Sequence, residues 1–357
     1  MVKARSNAFV ICKQEGRYIG WPTVGRTAEG DLLVAFSGDR DLHVCPFGKT
    51  FTVRSADDGA TWSAPEMVNN TPLDDRDAGL LVLGSGTILV TWFTSVAFDI
   101  PERCAWQGDL EQIIAPWRKH VAGITTADRR HWLNAWSRRS TDHGRTWGEP
   151  VAMAGTSPHG PCQLEDGRVL HMGNLMNVDQ LRIVVEETPD EGQSWRIIAE
   201  VPVPRSMRPR RLCEPHICQA PDGRLIALFR LEPPDANTCG LWQSESRDGG
   251  RTWDEPAPTK MRGYPSHLLR LADGRILASY GHRRPPYGEM ACLSRDGGQT
   301  WDLDSEIMIC DGTSHDLGYP ASVELRDGRI LTVFYQMDQP GEKTCLMGGT
   351  WAPERGA

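Results

Sequence analysis

The chain of 357 residues carries a formal net charge of −8 and contains 36 glycines, 25 prolines and 13 tryptophans. This charge argues against general attraction to nucleic acid or to an anionic membrane face, because both favour proteins with an excess of Lys and Arg. The glycine and proline content favours an all-β chain of many short strands joined by tight turns.

The cysteines and the first residues set an expectation for location. Ten cysteines are scattered without a CxxC pair, which favours free thiols in a reducing compartment. The N-terminal stretch has no apolar run of signal-peptide length, and no later run approaches the length of a membrane span. We therefore expect a cytoplasmic protein with no membrane segment, the alternative being that a signal sequence was removed from this chain.

A turn unit recurs six times along the chain and predicts six β-hairpins. Each copy joins two β-rich runs through a turn whose glycine can take the positive φ that a tight hairpin needs. The copies are TAEGDLL (27–33), LGSGTIL (83–89), LEDGRVL (164–170), APDGRLI (220–226), LADGRIL (271–277) and LRDGRIL (325–331).

A second motif, S-x-D-x-G-x-[ST]-W with one looser copy, alternates with these hairpins. It occurs as SADDGATW (55–62), STDHGRTW (140–147), TPDEGQSW (188–195), SRDGGRTW (246–253) and SRDGGQTW (294–301). Its carboxylate can accept hydrogen bonds from the local backbone while the tryptophan packs under the turn, so the motif predicts another hairpin turn. Two hairpins make one four-stranded blade, and radial repetition of such blades protects sheet edges.

These repeats predict an all-β, six-bladed β-propeller that forms a single domain over residues 1–357. The early strand around Phe9 to Cys12 is expected to pair with the C-terminal blade and close the ring. An insertion at residues 96–132 follows the blade-two strands and is partly helical by pattern around Asp109 to Val121. It is interpreted either as a lid or substrate wall, or as a dimer contact or ornament. The sequence does not predict the oligomeric state.

The second motif resembles the Asp box of the sialidase (neuraminidase) superfamily, whose members are six-bladed propellers. The resemblance covers nearly the whole chain and implies a retaining exo-glycosidase that releases a terminal acidic sugar, most of all a sialic acid. The implied partner is a sialoglycan or another acidic-sugar oligosaccharide or glycoconjugate, with no cofactor. Asp boxes of the family lie on the outer rim, so the chemistry must be sought at other positions.

In a propeller, functional side chains converge where the innermost strand of each blade begins. Aligning the six hairpins on their turn glycines places six residues about nine positions upstream: Trp21, Asp77, Pro158, Glu214, Pro265 and Tyr319. The resemblance implies that Tyr319 is the nucleophile and Glu214 the base that activates it. A sialic acid carries a carboxylate on its anomeric carbon, which would repel a carboxylate nucleophile but not a neutral phenol.

The resemblance also implies three arginines that bind the carboxylate of the sugar, since a guanidinium binds a carboxylate through two hydrogen bonds and stays charged. Arg230 matches the second of them. Arg283 and Arg284 are both candidates for the third, and Arg284 is preferred.

The first arginine of the family is missing, because Gly20 stands at its position. Arg40 or Arg76 is hypothesised to replace it from a different backbone position.

The proton donor has two candidates. Asp41 lies in the loop that supplies this residue in the family, and Asp77 matches a second aspartate that lines the sugar pocket; partial burial beside other carboxylates could give either a suitable pKa. Further residues predicted to line the pocket are Trp21, His159, His216 and His267. His43 and Cys45 lack a second ligand pair at a credible spacing, so no metal is expected.

Two alternatives stay open at this point. The missing first arginine favours a propeller glycosidase or lyase that acts on another sugar, such as a uronic acid or a deoxy-sugar. A propeller that binds carbohydrate or protein without turnover is the third hypothesis, because Asp boxes indicate a fold and not an activity.

Overall fold

The strands form six sheets. The computed structural model describes residues 8–100, 102, 106, 110–176, 182–204, 211–232 and 240–353. Within these residues five sheets have four strands and one has five, and inner strands of successive blades contact each other. The predicted six-bladed β-propeller is confirmed.

The strands are grouped by blade in chain order. Blade 1 contains β2 (Tyr18–Arg26), β3 (Leu32–Arg40), β4 (Lys49–Ser55) and β5 (Glu66–Asn69), and blade 2 contains β6 (Asp74–Val82), β7 (Ile88–Ser95), β8 (Ala135–Ser140) and β9 (Val151–Met153). Blade 3 contains β10 (Gly155–Thr156), β11 (Cys162–Gln163), β12 (Val169–Leu175), β13 (Ile183–Thr188) and β14 (Arg196–Val201). Blade 4 contains β15 (Arg211–Gln219), β16 (Leu225–Glu232), β17 (Leu241–Ser246) and β18 (Ala257–Pro258). Blade 5 contains β19 (Tyr264–Arg270), β20 (Ile276–His282), β21 (Gly288–Ser294) and β22 (Ile307–Asp311). Blade 6 contains β23 (Gly318–Glu324), β24 (Ile330–Met337), β25 (Thr344–Trp351) and, from the N-terminus, β1 (Ala8–Cys12).

The ring is closed by the N-terminal strand, as predicted. β1 pairs antiparallel with β25, with Ala8 opposite Gly349 and Phe9 opposite Gly348. The outer strand of the last blade therefore comes from the start of the chain, so the two ends hold each other through ladder hydrogen bonds.

The insertion contains the helix that the pattern predicted around Asp109 to Val121 and a second helix that it did not predict. Helix α1 spans Glu111–Gly123 and helix α2 spans Thr126–Trp132, between β7 and β8. Short 3-10 helices lie at Ala97–Asp99 and Leu303–Ser305. No helix of the described residues is long and apolar enough to cross a membrane.

Both repeated motifs form the expected turns. The glycines of the six hairpins have φ between 81° and 95°, which only glycine adopts without strain. In the copy at 246–253, Asp248 accepts hydrogen bonds from the Thr252 N–H at 2.9 Å and the Thr252 hydroxyl at 2.7 Å. The other four copies make the same pair of bonds. The motif aspartates therefore stabilise local turns.

The core lies between neighbouring blades. For example, Leu170 and Val185 of blade 3 pack against Ile217 and Phe229 of blade 4, and all four are buried. The facing sheets thus hide their apolar sides from water, which is the main favourable contribution to folding.

Replacing Asp248 with Ala should lower stability without changing the fold, since it removes hydrogen bonds within one rim turn. We expect the melting temperature to fall by roughly 1–3 °C with an unchanged far-UV circular dichroism spectrum. The control is Glu255→Ala, an exposed carboxylate two residues after the same motif. Equal melting temperatures for both variants would contradict the turn-stabilising role.

Candidate active site

Four of the six residues at the starts of the inner strands share an unusual backbone. Trp21, Asp77, Glu214 and Tyr319 have φ between 52° and 55°, a left-handed conformation that is strained for residues other than glycine. In each case the pairing register shifts around the residue, which is the pattern of a β-bulge. The bulges bring side chains from blades 1, 2, 4 and 6 together at one end of the inner strands.

Tyr319 and Glu214 form the centre of this cluster. The Tyr319 hydroxyl donates to Glu214 Oε1 at 2.5 Å. Arg230 Nη1 donates to both Glu214 oxygens, at 3.0 and 2.8 Å, and lies 3.3 Å from the Tyr319 hydroxyl. Its Nη2 donates to Glu232 at 2.6 Å. The structure therefore brings together three of the residues that the sequence predicts for the site.

The surroundings of Tyr319 and Glu214 give the two groups different protonation states. Burial alone would raise the pKa of Glu214, but the charge of Arg230 and the hydrogen bonds from Tyr319 and Arg230 outweigh it and hold this pKa below its usual value. Burial and the neighbouring Glu214 carboxylate raise the pKa of Tyr319 well above its usual value. At neutral pH the phenol keeps its proton and the carboxylate beside it is ionised, so Glu214 can accept that proton.

Asp77 lies in the same cluster. It is 6% exposed, and its buried oxygen Oδ1 accepts no hydrogen bond from the described residues. Burial raises its pKa to about 7, with Glu214 adding to the rise and Arg76 opposing it. A carboxyl group with this pKa can both donate and accept a proton near neutral pH.

Asp41, the rival candidate, has both oxygens occupied. One is paired with Arg17, and the other accepts from the Trp117 indole N–H of helix α1 at 2.7 Å. The structure places this carboxylate between blade 1 and the insertion and joins it to neither Tyr319 nor Glu214 by a direct contact.

The preference for Arg284 over Arg283 needs correction. Arg283 donates to the Leu317 carbonyl oxygen at 2.8 Å and to the Tyr335 hydroxyl at 2.9 Å, and its guanidinium carbon lies 5.4 Å from the centre of the Tyr319 ring. Arg284 is exposed to solvent. Arg283 is therefore the arginine of this pair that belongs to the cluster.

Arg40 and Trp21 are closed off from a ligand. The Arg40 side chain is fully buried and forms an ion pair with Asp74 at 2.6 Å, and it also donates to Ser37, the Asp75 carbonyl oxygen and the His43 carbonyl oxygen. Trp21 is also fully buried. Both expectations of substrate contact are corrected, because no atom of either side chain reaches the surface.

Arg76 occupies the accessible position beside Trp21. Its guanidinium carbon lies 4.4 Å from the Trp21 ring centre, in a cation–π contact. Nη1 donates to the His43 carbonyl oxygen at 3.1 Å, whereas Nε and Nη2 donate to no group of the described residues. The side chain is 11% exposed, so Arg76 and not Arg40 can meet a ligand.

The three predicted histidines lie along the axis below the cluster. The His159 ring centre is 6.3 Å from that of Tyr319, 5.6 Å from His216 and 5.3 Å from His267. The rings of His216 and His267 stack at 4.6 Å. All three are less than 9% exposed and border a cavity of about 470 Å³ on the side away from the bulges. They form the floor of the candidate site.

These histidines are held in their neutral form. His216 Nδ1 accepts from the backbone N–H of Leu268 at 2.9 Å, and His267 Nδ1 accepts from that of Ser322 at 3.4 Å. Burial, followed by the neighbouring histidines, lowers the pKa of all three well below its usual value. Each accepting bond joins neighbouring blades, so protonation would break contacts between blades.

Sequence reasoning missed several residues of the cluster. Tyr18 donates to Asp316 at 2.8 Å and lies 2.8 Å from His43 Nδ1, and Tyr335 accepts from Arg283. Tyr335 stands sixteen residues after Tyr319, as Arg230 does after Glu214. Tyr18 and Asp316 each stand three residues before a bulge residue. Repeat spacing was therefore the signal that could have identified them.

No group of three or more His, Cys, Asp or Glu among the described side chains is arranged to hold a metal ion. The site instead combines a phenol, carboxylates in two different environments and two arginines with unused donors. This set suits proton transfer and recognition of an anion.

Comparisons with known proteins agree with the fold. The sequence model of the BNR repeat-like domain family matches residues 112–332. A search of the curated proteins finds no match. A Dyadobacter fermentans protein of unknown function is similar in structure, with a TM-score of 0.79 and 23% identity over 98% of this chain and 99% of that one.

Two enzymes of known activity are also similar in structure. A leech intramolecular trans-sialidase has a TM-score of 0.67 and 14% identity over 98% of this chain and 70% of its own. A Penicillium chrysogenum α-L-arabinanase has a TM-score of 0.65 and 14% identity over 97% of this chain and 98% of its own. The chain thus has the propeller fold of these two enzymes, and the expected propeller with BNR (Asp-box) repeats is confirmed.

The histidines predict that stability falls in acid. The unfolded chain binds a proton at each of these positions near pH 6.5, whereas the folded chain does not, so their contribution is complete above that pH and is lost progressively below it. Each histidine adds about 1.4 kcal/mol per pH unit to the slope of the unfolding free energy. His216→Asn keeps an acceptor for Leu268 N–H and should reduce the slope by one histidine's share. Urea unfolding between about pH 5 and 6.5 measures it.

The control for this measurement is His131→Asn, because His131 is exposed on helix α2. It should keep the wild-type slope. The prediction is wrong if His216→Asn and His131→Asn give the same pH dependence.

Proposed function

Since the chain belongs to the BNR repeat-like domain family, we propose that it is a retaining exo-glycosidase that releases a terminal acidic sugar, with a sialic acid as the first candidate. The observation that carries this proposal is the 2.5 Å hydrogen bond from the Tyr319 hydroxyl to Glu214. A buried phenol that donates to an ionised carboxylate is a nucleophile paired with its base.

In the first step, the Tyr319 oxygen attacks the anomeric carbon as its proton passes to Glu214. Asp77 donates its proton to the leaving oxygen, and the bond from that oxygen to the anomeric carbon breaks. Arg230 supports the charge of the pair through its bonds to Glu214 and its 3.3 Å approach to the phenol oxygen. The products are a covalent aryl glycoside of Tyr319 and a free alcohol.

In the second step, water attacks the anomeric carbon from the face that the leaving group has vacated. The bond from the anomeric carbon to the Tyr319 oxygen breaks, Glu214 returns its proton to that oxygen, and Asp77, now ionised, takes a proton from the water. Two displacements at one carbon restore the original configuration, and Tyr319, Glu214 and Asp77 each regain their starting protonation state.

A carboxylate on the sugar would be bound by Arg76 and Arg283. Arg283 has one terminal nitrogen, Nη1, that donates to no described residue, and Arg76 has Nε and Nη2 in the same condition. Arg230 has both terminal nitrogens engaged by Glu214 and Glu232, so it contributes charge more than free donors. This arrangement replaces the guanidinium missing at Gly20 with one from blade 2.

The same arginines support a second candidate, a propeller glycosidase acting on a sugar without an anomeric carboxylate. Arg40 is ion-paired with Asp74, and Arg230 is ion-paired with Glu214 and Glu232. The site therefore has fewer guanidinium groups available to bind a sugar carboxylate than a site with three arginines would have. The fold of the arabinanase is compatible with such a substrate. A panel of aryl α-sialosides, aryl uronides and aryl furanosides separates the two candidates by which members are hydrolysed.

Replacing Tyr319 with Phe removes the nucleophile and should lower kcat by on the order of 10³-fold or more. The measurement is fluorophore release from the best aryl glycoside of the panel. The matched control is Tyr280→Phe, which removes another buried phenol hydroxyl, bonded to Glu306 in blade 5. Comparable turnover in Tyr319→Phe and wild type would eliminate the proposed nucleophile.

The pH profile should identify Asp77 as the proton donor. Wild-type kcat/KM should decrease above about pH 7, because Asp77, with a pKa of about 7, then loses the proton that it must donate. Asp77→Asn should lower kcat by roughly 10²–10⁴-fold for a poor leaving group and abolish this alkaline limb. In Asp41→Asn the limb should stay at the same pH. A limb that persists in Asp77→Asn and shifts in Asp41→Asn would reverse the assignment.

A further inference from the structure

The insertion packs against the loop between β3 and β4. Trp117 of helix α1 is 3% exposed, and it shares an apolar cluster with Leu42, Val44 and Cys45 of the loop and with Leu73 before β6. His120, one turn further along α1, lies 3.1 Å from the Pro72 carbonyl oxygen through Nε2. The insertion therefore contacts both segments that lead to the candidate site, loop 41–48 and the approach to β6.

A direct hydrogen bond joins the helix to this loop. The Trp117 indole N–H donates to Asp41 Oδ2 at 2.7 Å, and the other Asp41 oxygen pairs with Arg17 of blade 1. The backbone N–H of Asp41 also donates to Cys45 Sγ at 3.2 Å, which closes the loop on itself. A residue bonded to a helix, to a blade and to its own loop in this way fixes the path of the backbone around it.

The loop in turn holds Arg76. The His43 carbonyl oxygen accepts from Arg40 Nη2 at 3.0 Å and from Arg76 Nη1 at 3.1 Å. Arg40 is held by its ion pair with Asp74, and the guanidinium carbon of Arg76 lies 4.4 Å from the centre of the Trp21 ring. Arg76 Nη1 also lies 3.6 Å from Asp74 Oδ2, so the His43 carbonyl group of loop 41–48 helps to set where the accessible arginine points, together with Asp74 and the Trp21 ring.

We propose that helix α1 of the insertion is a specificity element, in which Trp117 acts through Asp41 and the His43 carbonyl group to position Arg76 toward the acidic group of the sugar. This rests on the proposed function for the role of Arg76. Trp117 and Asp41 are positioning residues in this proposal, because each acts on Arg76 through other groups, and the insertion serves as a support for the substrate wall.

The inference predicts a split between the kinetic constants. In Trp117→Phe the indole N–H is lost while the aromatic packing is kept, so KM for an acidic aryl glycoside should rise roughly tenfold with little change in kcat. Arg76→Ala should raise KM as well, and adding Trp117→Phe to Arg76→Ala should raise it no further, because the two act through one contact.

The matched control is Trp136→Phe. The Trp136 indole N–H donates to the carbonyl oxygen of Trp132, the last residue of the insertion, at 2.9 Å, and not to loop 41–48. This variant should keep the wild-type KM. An equal rise in KM in Trp136→Phe, or additive effects of Trp117→Phe and Arg76→Ala, would overturn the inference.

Hydrogen exchange separates this inference from the proposed function, because it needs no substrate. Trp117→Phe should speed amide exchange in residues 41–48 and leave β8 and blade 4 unchanged, whereas Trp136→Phe should not affect residues 41–48. Unchanged exchange in the loop of Trp117→Phe overturns the positioning role whatever the enzyme does. Faster exchange in the loop of a protein whose wild type hydrolyses no glycoside of the panel contradicts the proposed function and supports the positioning role.

Discussion

The left-handed residue at the start of an inner strand is the constraint on which the site depends. A residue other than glycine costs about 1–2 kcal/mol in this conformation, and the chain accepts that cost at Trp21, Asp77, Glu214 and Tyr319. The strain persists because the ladder continues on both sides of each bulge and leaves the extra residue no other path. Its result is convergence: residues separated by up to about 300 positions in sequence meet within hydrogen-bond or ring-contact distance. Strain of this kind clusters at functional sites, and three of these four residues, Asp77, Glu214 and Tyr319, have a role in the proposed chemistry.

The aromatic side chain at the blade 1 bulge changes what the site can recognise. Trp21 is buried against Tyr18, Tyr319 and Tyr335, and a guanidinium from Arg40 and another from Arg76 lie beside its ring. An arginine at this end of blade 1 would compete with both charges, whereas an indole attracts them. The Trp21 ring therefore holds the guanidinium of Arg76, from the next blade, beside the cluster. In this way a site without the expected first arginine still has a positive charge.

The repeats made the fold and half of the site predictable, because both depend on local spacing. Turn glycines and motif aspartates act within a few residues of themselves, and equal spacing in each blade locates Glu214 and Tyr319, while the family resemblance adds Arg230. The same spacing could have identified Tyr335. It could not rank Arg283 above Arg284, since both follow the end of β20, where strand alternation no longer applies. Nor could it show that Arg40 is paired with Asp74 or that Trp117 donates a hydrogen bond to Asp41, because those partners lie 34 and 76 residues away in the sequence.

The three carboxylates of this region differ in their partners, and the difference assigns their roles. Glu214 lies against Arg230 and accepts from Tyr319, so it stays ionised and can take a proton from the phenol. Asp77 is more deeply buried, and its Oδ1 accepts no hydrogen bond from the described residues, so burial outweighs the opposing charge of Arg76 and raises its pKa to about 7. Asp41 has a partner on each oxygen and is bound into the scaffold. A pair of carboxyl groups whose surroundings drive their pKa values apart is what acid and base catalysis at one centre requires. In this chain the separation arises because Arg230 and the Tyr319 hydroxyl stabilise the ionised form of Glu214, whereas at Asp77 burial outweighs the charge of Arg76.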